Sequence, residues 1–361
     1  MKRAICLLSA LLLLLLPACG DTTGEESAEP SPDVSVAVTP TPEPTPTPAP
    51  EPAFYHPLTG LPCDEDLSGT RPVAIMLNNI KAALPQQGNS QADIIYEVLA
   101  EGGITRMLGV FQEPGNLGLV GSVRSARQYY WEIAQGHDAV YIHAGASPEF
   151  YSTKNRLGLF TVDGVNGYYS SASAGMFWRN RNRIDGHYYA YEHSLLTSGE
   201  AITTMLANEG VGAHKDGYRY DMAFADDGTP AGGQSADTVT VPFSNSKLDV
   251  FRYDAETGQY LVEEYGEPYI DGNTGAQVAV TNLIVVQTIC TVVDDYGRLD
   301  VTLSSGSGWF ACGGKIVPIT WEKGSVDQQL RYFNEDGSPI TLGRGKSYVC
   351  VIPTSRTVTA E

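Results

Sequence analysis

The stretch Asp93–Phe111, DIIYEVLAEGGITRMLGVF, has the pattern of two strands joined by a turn. Two largely apolar runs, Asp93–Leu99 and Ile104–Phe111, are joined through the turn Glu101-Gly102-Gly103. Runs of this length on either side of a glycine-containing connection are typical of two neighbouring strands. The stretch therefore predicts a strand pair within the first half of the chain.

Strand and helix patterns alternate around this pair. Pro72–Leu77 and Ala139–Ile142 are short apolar runs that predict further strands, whereas Gly121–Gln135 has helical spacing. Ser147 before Pro148 predicts a helix start, and Ser198–Asn208 has the cap and the apolar spacing of another helix. This alternation indicates a sheet with flanking helices.

The pattern changes after about Tyr220. From Thr238 onward the chain reads as strands and turns, with a strand at Asn282–Thr288 near the centre. The turns are predicted at 254–258, 271–273, 295–297 and 335–337, each rich in Asp, Asn or Gly. We therefore predict the α+β class: a mixed α/β domain over 54–220, followed by a β-rich domain over 237–361 that forms a sandwich or open barrel.

The N-terminus has the pattern of an export signal. Lys2 and Arg3 precede an apolar run that ends in Leu16-Pro17-Ala18-Cys19, which is similar to the lipobox of bacterial lipoproteins. We predict a signal peptide over 1–18 and a lipid anchor on Cys19, although a plain secretory signal is the alternative. The segment 19–53 is rich in Pro, Thr and Glu without apolar periodicity, which predicts a disordered tether. The protein is therefore expected at the cell membrane, lipid-anchored on the extracytoplasmic face.

Composition excludes several classes of function. The chain of 361 residues has 42 Asp and Glu against 23 Lys and Arg, a formal charge of −19, which argues against a nucleic-acid partner. No Gly-x-Ser-x-Gly, His-Glu-x-x-His, P-loop or Gly-x-Gly-x-x-Gly motif occurs, and no Cys-x-x-Cys. We therefore predict no cofactor and no metal site. Any disulfide is left open among Cys63, Cys290, Cys312 and Cys350.

Several phrases occur in the order found in one protein family. They include His56-Pro57-Leu58-Thr59-Gly60, Glu101-Gly102-Gly103-Ile104-Thr105-Arg106, Val123-Arg124-Ser125-Ala126-Arg127, Tyr141-Ile142-His143-Ala144-Gly145 and Ile319-Thr320-Trp321. Through these phrases the chain resembles the YerB-like family of Gram-positive lipoproteins over nearly all of 56–353. The resemblance implies two domains of unknown function on a lipid anchor. The chain departs from the family around His193, where the extra residues 184–191 indicate a rebuilt loop.

Arg124 and Arg127 are the first candidate binding residues. They are three apart at the start of the predicted helix, where free N–H groups and the helix dipole attract anions. Two guanidinium groups there would suit a carboxylate or a phosphate. The alternative is an internal ion pair with Glu101 or Glu97.

A second polar group completes the predicted ligand site. Asn78 and Asn79 end a predicted strand, where amides could hydrogen-bond a sugar or satisfy the backbone of the loop. Glu101 stands beside paired glycines that let a ligand approach the backbone, and Arg106 follows on the next strand. We therefore predict that the N-terminal domain binds an anionic or glycan ligand of the cell envelope.

Two other functions stay open. A cell-wall hydrolase would use Glu101 together with His143 or His193, because a positioned carboxylate and imidazole can move protons. A scaffold that binds a protein partner is the third hypothesis. The tyrosines at 168, 169, 188, 189 and 191 would stack on sugar rings or, as the default expectation, pack in the interior.

Overall fold

The computed structural model describes residues 52–361, which contain twenty-six strands and three α-helices. The predicted signal peptide, Cys19 and most of the predicted tether lie outside these residues. The helices are α1 (Gln128–Gly136), α2 (Pro148–Leu157) and α3 (Gly199–Glu209). The strands of the first half are β1 (Phe54–Tyr55), β2 (Pro62–Cys63), β3 (Val73–Asn78), β4 (Ile94–Leu99), β5 (Thr105–Phe111), β6 (Leu119–Gly121), β7 (Val140–His143), β8 (Val162–Asp163), β9 (Trp178–Arg179) and β10 (Leu195–Ser198).

The second half contains strands with no α-helix among its described residues. They are β11 (Phe224–Ala225), β12 (Gln234–Ser235), β13 (Thr238–Pro242), β14 (Leu248–Asp254), β15 (Gln259–Glu264), β16 (Glu267–Pro268), β17 (Ala279–Val280), β18 (Asn282–Thr288), β19 (Cys290–Val292), β20 (Leu299–Val301), β21 (Ser305–Cys312), β22 (Lys315–Glu322), β23 (Arg331–Phe333), β24 (Leu342–Gly343), β25 (Ser347–Pro353) and β26 (Thr359–Ala360). The predicted α+β class with a β-rich C-terminal region is confirmed.

One mixed sheet of eleven strands runs through both halves. Its order is β12-β22-β21-β18-β25-β4-β5-β3-β7-β8, with β23 paired to β22. The halves meet where β25 pairs in parallel with β4, so that Cys350 lies opposite Glu97. The stretch Asp93–Phe111 forms β4 and β5, an antiparallel pair next to this junction. All described residues belong to one compact unit.

The large sheet is covered on both faces. Strand β3 shows why, because its side chains alternate between two cores. One core contains Val73, Ile75 and Leu77 together with Phe251 and Tyr260 of a six-stranded sheet built from β13–β17 and β26. The other contains Ala74 and Met76 together with Tyr130 of α1 and Phe150 of α2. The protein is therefore layered as sheet, sheet and helices.

Helix α1 differs from the prediction at its start. It begins at Gln128, seven residues after the predicted Gly121, and Arg127 is its extended N-cap residue. The preceding residues are held by bridges instead: Val123 pairs with Leu77, and Ala126 pairs with Ala146. Arg124 and Arg127 therefore do not lie on one helical face. The caps predicted for α2 and α3 are present, since Ser147 and Ser198 accept hydrogen bonds from the third residue after them.

The described helices are all too short or too polar to span a bilayer. The four cysteines in the described residues carry free thiols. Cys350 and Cys312 are buried, whereas Cys63 and Cys290 are partly exposed. These thiols form no disulfide framework within residues 52–361.

Candidate functional site

A lysine and three carboxylates are buried together between the two sheets. We call Lys247, Glu97, Asp249 and Glu264 the lysine cluster. Glu97 belongs to β4, Asp249 to β14 and Glu264 to β15, and Lys247 directly precedes β14. Lys247 Nζ lies 3.2 Å from Glu97 Oε1 and 2.9 Å from Glu264 Oε2, and it also contacts Asp249 Oδ1. The four side chains are at most 1% exposed.

Charge in the lysine cluster is balanced by protons. Burial raises the pKa of Glu264 to about 8, and burial together with Glu97 raises the pKa of Asp249. Burial alone would raise the pKa of Glu97, but Lys247 together with hydrogen bonds from Asp249, Thr105 and Tyr348 lowers that pKa. One ammonium, one carboxylate and two neutral acids leave the cluster uncharged at neutral pH. Asn79 Oδ1 is buried beside the cluster without a hydrogen-bond donor.

The lysine cluster has the outline of a cation site. Its three carboxylates offer oxygens that lie within 4.8 Å of one another, and hard cations prefer such ligands. However, the Lys247 ammonium lies among these oxygens and supplies the positive charge that a metal would bring. The cluster therefore joins β4 of the first half to β14 and β15 of the second half as an internal ion pair.

Glu101 bridges two of the predicted ligand-binding arginines. Arg106 Nη2 donates to Glu101 Oε2 at 3.1 Å, and Arg127 Nε donates to Glu101 Oε1 at 2.6 Å. Burial alone would raise the pKa of Glu101, but the two guanidinium groups lower it. Burial and the neighbouring Arg127 lower the pKa of Arg106 to about 10, so Arg106 stays charged at neutral pH. Glu101 is thus an ionised bridge, which is the internal pairing considered for Arg127.

Arg124 has different neighbours. It lies near Arg179 of β9 and Arg181, two residues further along the chain. Arg124 Nη1 donates to the Glu192 carbonyl oxygen at 3.0 Å, Arg179 Nη1 to that of Tyr191 at 2.7 Å, and Arg181 Nε to that of Tyr189 at 2.8 Å. All three guanidinium groups therefore contact the backbone of residues 189–192. Within residues 52–361, none of the three has a carboxylate oxygen within 4.0 Å. We call Arg124, Arg179 and Arg181 the arginine face.

Tyrosine rings hold the outer part of the arginine face. The Arg179 guanidinium lies 3.8 Å from the centre of the Tyr191 ring, and that of Arg181 lies 4.2 Å from the centre of the Tyr188 ring. These two rings are 62% and 69% exposed, so they are not core residues. The acidic side chain beside the face is the exposed Glu192. Stacking fixes each guanidinium while its remaining N–H groups can still bind a ligand.

The predicted amide pair faces inward. Asn78 Nδ2 donates to Ser122 Oγ at 3.2 Å and to His193 Nδ1 at 3.0 Å, and Asn79 Nδ2 donates to Glu97 Oε1 at 2.8 Å. Both asparagines are almost fully buried. Because His193 Nδ1 accepts a hydrogen bond, its ring is neutral, and burial and the nearby Arg124 lower its pKa. The structure thus brings Asn78 and His193 together, whereas Asn79 donates to Glu97 of the lysine cluster.

His143 lies in the interior at the end of β7. Its Nδ1 lies 2.9 Å from the Gly145 carbonyl oxygen and 3.9 Å from Asp163 Oδ1, and its Nε2 lies 3.1 Å from Thr161 Oγ1. The order of hydroxyl, imidazole and carboxylate is that of a nucleophilic triad. However, the His143 side chain is 0% exposed, and burial lowers its pKa to about 4. None of its polar contacts is with Glu101.

Sequence reasoning missed two groups of residues that carry these sites. Arg179 and Arg181 alternate along the chain shortly before Tyr188, Tyr189 and Tyr191. This pattern of arginine and aromatic residues was the available signal. Asp249 and Glu264 have the same two-residue period as the buried Phe251 and Val262, which would have placed both acids on the inner face of their strands.

Comparison with known proteins gives one consistent result. Residues 58–212 match the N-terminal domain of a protein family of unknown function, DUF3048, and residues 239–349 match its C-terminal domain. The chain is 31% identical over 302 residues to "Putative lipoprotein YerB" of Bacillus subtilis strain 168. The aligned residues cover 82% of this chain and 86% of the relative. The crystal structure of YerB from Bacillus subtilis is similar with a TM-score of 0.71 at 26% identity, covering 85% of this chain and 99% of that one. The chain therefore belongs to the YerB-like family, built from the two DUF3048 domains.

Proposed function

We propose that the protein is a lipid-anchored envelope protein that binds an anionic envelope polymer through the arginine face. The anchor would be Cys19, at the extracytoplasmic face of the cell membrane. Two observations support this location: the Leu16-Pro17-Ala18-Cys19 tetrad, and a 31% identical relative that is described as a lipoprotein.

The arginine face is the observation that carries the proposal. Its three guanidinium groups converge on residues 189–192 in a chain whose formal charge is −19. Glu192 and Glu101 lie near Arg124, but none of the three arginines has a carboxylate oxygen within 4.0 Å among the described residues. Charges of one sign are costly to bring together unless a ligand of the opposite sign is gained. Charge-assisted hydrogen bonds from guanidinium to phosphate or carboxylate are stronger than neutral ones. A polymer with repeated phosphate or carboxylate groups would contact several arginines at once.

Other residues of the predicted site would support this face rather than bind the polymer directly. Arg106 and Arg127 are already bridged by Glu101, and Arg127 is 9% exposed. Asn78 holds the buried His193, which follows Glu192 in the chain. We therefore assign direct binding to Arg124, Arg179 and Arg181, and positioning to Glu101, Arg106, Arg127 and Asn78.

Binding to purified cell walls tests the proposal. The full-length protein in detergent is sedimented with walls, and the Arg124→Glu/Arg181→Glu variant is compared with the control Arg219→Glu. Arg219 is an exposed arginine outside the arginine face, beside Gly136 and Gln329. We expect the double variant to lose sedimentation and Arg219→Glu to keep it. Equal sedimentation of all three proteins would contradict the proposal.

The hydrolase hypothesis has less support. Glu101 is engaged by two arginines, His143 is fully buried, and His193 donates no proton through the nitrogen that faces Asn78. Walls incubated with the protein would release soluble fragments if it were a hydrolase, and mass spectrometry of the supernatant would detect them. A protein-binding scaffold would instead leave the walls unbound and capture a protein.

A further inference from the structure

Exposed aromatic side chains are concentrated in residues 160–191. Five of the eight exposed large aromatic side chains in the described residues lie in this segment, namely Phe160, Tyr168, Trp178, Tyr188 and Tyr191, while the other three are Phe54, Tyr55 and Tyr296. Tyr188 and Tyr191 belong with the arginine face. Tyr168 and Trp178, 67% and 38% exposed, line a separate groove. Clustered aromatic rings in water mark interaction sites more often than scattered ones do.

The groove lies between these rings and helix α3 and has a volume of about 410 Å³, within the range of small-ligand sites. Tyr168 and Tyr169 form one wall, and Trp178 of β9 contributes a further ring. Helix α3 supplies the polar wall, because residues spaced by four share one helical face. The polar side chains on this wall are Glu200, Thr204 and Asn208.

Contacts within the groove hold the tyrosine wall in place. Tyr169 OH donates to Glu209 Oε1 at 2.5 Å, which joins the ring to the end of α3. The Tyr168 and Tyr169 rings meet edge to face with centroids 5.2 Å apart, and Phe160 meets Tyr169 edge to face from 6.5 Å. A wall that is already ordered loses little side-chain entropy when a ligand binds.

We infer that this groove is a saccharide-binding site. A pyranose ring has an apolar C–H face that suits the faces of Tyr168 and Trp178, and a rim of hydroxyls that suits carboxylate, hydroxyl and amide groups. The residues that line the groove include two acids and no Lys, Arg or His, so an uncharged sugar fits it better than an anion.

The saccharide site goes beyond the proposed function, because it uses none of the arginines of the arginine face. The groove and the arginine face meet at strand β9. Its first residue, Trp178, lines the groove, whereas the next residue, Arg179, stacks on Tyr191. Successive side chains of a strand point to opposite faces. An envelope polymer with uncharged sugars and anionic groups could then contact both places around this edge strand.

Titration with chitotetraose, an uncharged tetramer of N-acetylglucosamine, tests the inference. Binding to the full-length protein in detergent is measured by isothermal calorimetry for wild type, Tyr168→Ala, Trp178→Ala and the control Tyr188→Ala. Tyr168 and Tyr188 are almost equally exposed, so neither truncation removes core packing. We expect about tenfold weaker binding or more for the two groove variants, since each loses a stacking surface, and wild-type affinity for Tyr188→Ala.

The opposite results would overturn the inference. These are no binding of chitotetraose by the wild type, or binding that survives both groove substitutions, or equal losses in Tyr168→Ala and Tyr188→Ala. The Arg124→Glu/Arg181→Glu variant separates this test from that of the proposed function. It should keep chitotetraose binding even where it no longer binds an anionic polymer.

Discussion

Replacing Glu264 by Gln should remove a pH dependence of stability that the lysine cluster imposes. The side chain is 0% exposed, and burial raises its pKa from the ordinary 4.5 to about 8. Gln has nearly the shape of the protonated acid, so its amide oxygen can still accept from Lys247. The variant therefore keeps the contacts of the neutral acid and loses only its titration.

Because the pKa of Glu264 is raised in the folded protein, its contribution to stability decreases as pH rises. Between pH 4.5 and 8 the folded protein holds a proton at Glu264 that the unfolded chain has released, so the free energy of unfolding of the wild type falls as pH rises through this window. The contribution is fully present below pH 4.5 and is lost as pH rises through about 8. One pKa unit corresponds to about 1.4 kcal/mol, which makes the loss between pH 5.5 and 7.5 about 2.5 kcal/mol.

Urea unfolding of the full-length protein, followed by fluorescence at pH 5.5, 6.5 and 7.5, measures this effect. The difference between Glu264→Gln and wild type should shift in favour of the variant by about 2.5 kcal/mol across this range. Titrations of other groups, such as His143, occur in both proteins and cancel in the difference. Glu263→Gln, on the outer face of the same strand, is the matched control and should show no comparable shift. A difference between Glu264→Gln and wild type that stays constant with pH would refute the proposed protonation of the lysine cluster.

Two other changes test the buried charges. Lys247→Met leaves the buried Glu97 carboxylate without its cation and should lower the free energy of unfolding by about 3–5 kcal/mol in the same urea assay. A loss below about 1 kcal/mol would show that the ammonium is not needed. Glu101→Gln removes the charge that balances Arg106 and Arg127, so it should lower the free energy of unfolding by about 1–3 kcal/mol while strengthening sedimentation with walls. Weaker sedimentation of a folded Glu101→Gln variant would indicate that Glu101 itself contacts the ligand.

The sequence predicted the elements of the fold well where periodicity and turn residues acted together. Strands β4 and β5 appear within one residue of the predicted runs, and the caps of α2 and α3 were read from Ser147 and Ser198. The predicted start of α1 was wrong because β-bridges to β3 and to residue 146 hold residues 123–126 outside the helix. Tertiary pairing overrode a local helical pattern, and with it the argument that a helix N-terminus presents both arginines.

The candidate site was predictable only in part, because pairing between distant residues is not written in local spacing. Arg124 was singled out from the sequence, but its neighbours Arg179 and Arg181 come from a segment more than fifty residues later. Arg127 was singled out with it, yet Glu101 engages it from the turn between β4 and β5. The partners of Glu97 in the lysine cluster lie in the second half of the chain.

The proposed function requires that the arginine face bind an anionic polymer of the cell envelope. The most direct measurement is the dissociation constant of the full-length protein for soluble poly(glycerol phosphate), determined by calorimetry for wild type and for Arg124→Glu/Arg181→Glu. Loss of two charged hydrogen bonds predicts that the variant binds about a hundredfold or more weakly, and that wild-type binding weakens as salt is added. Equal dissociation constants for the two proteins, or no binding by the wild type, would contradict the account.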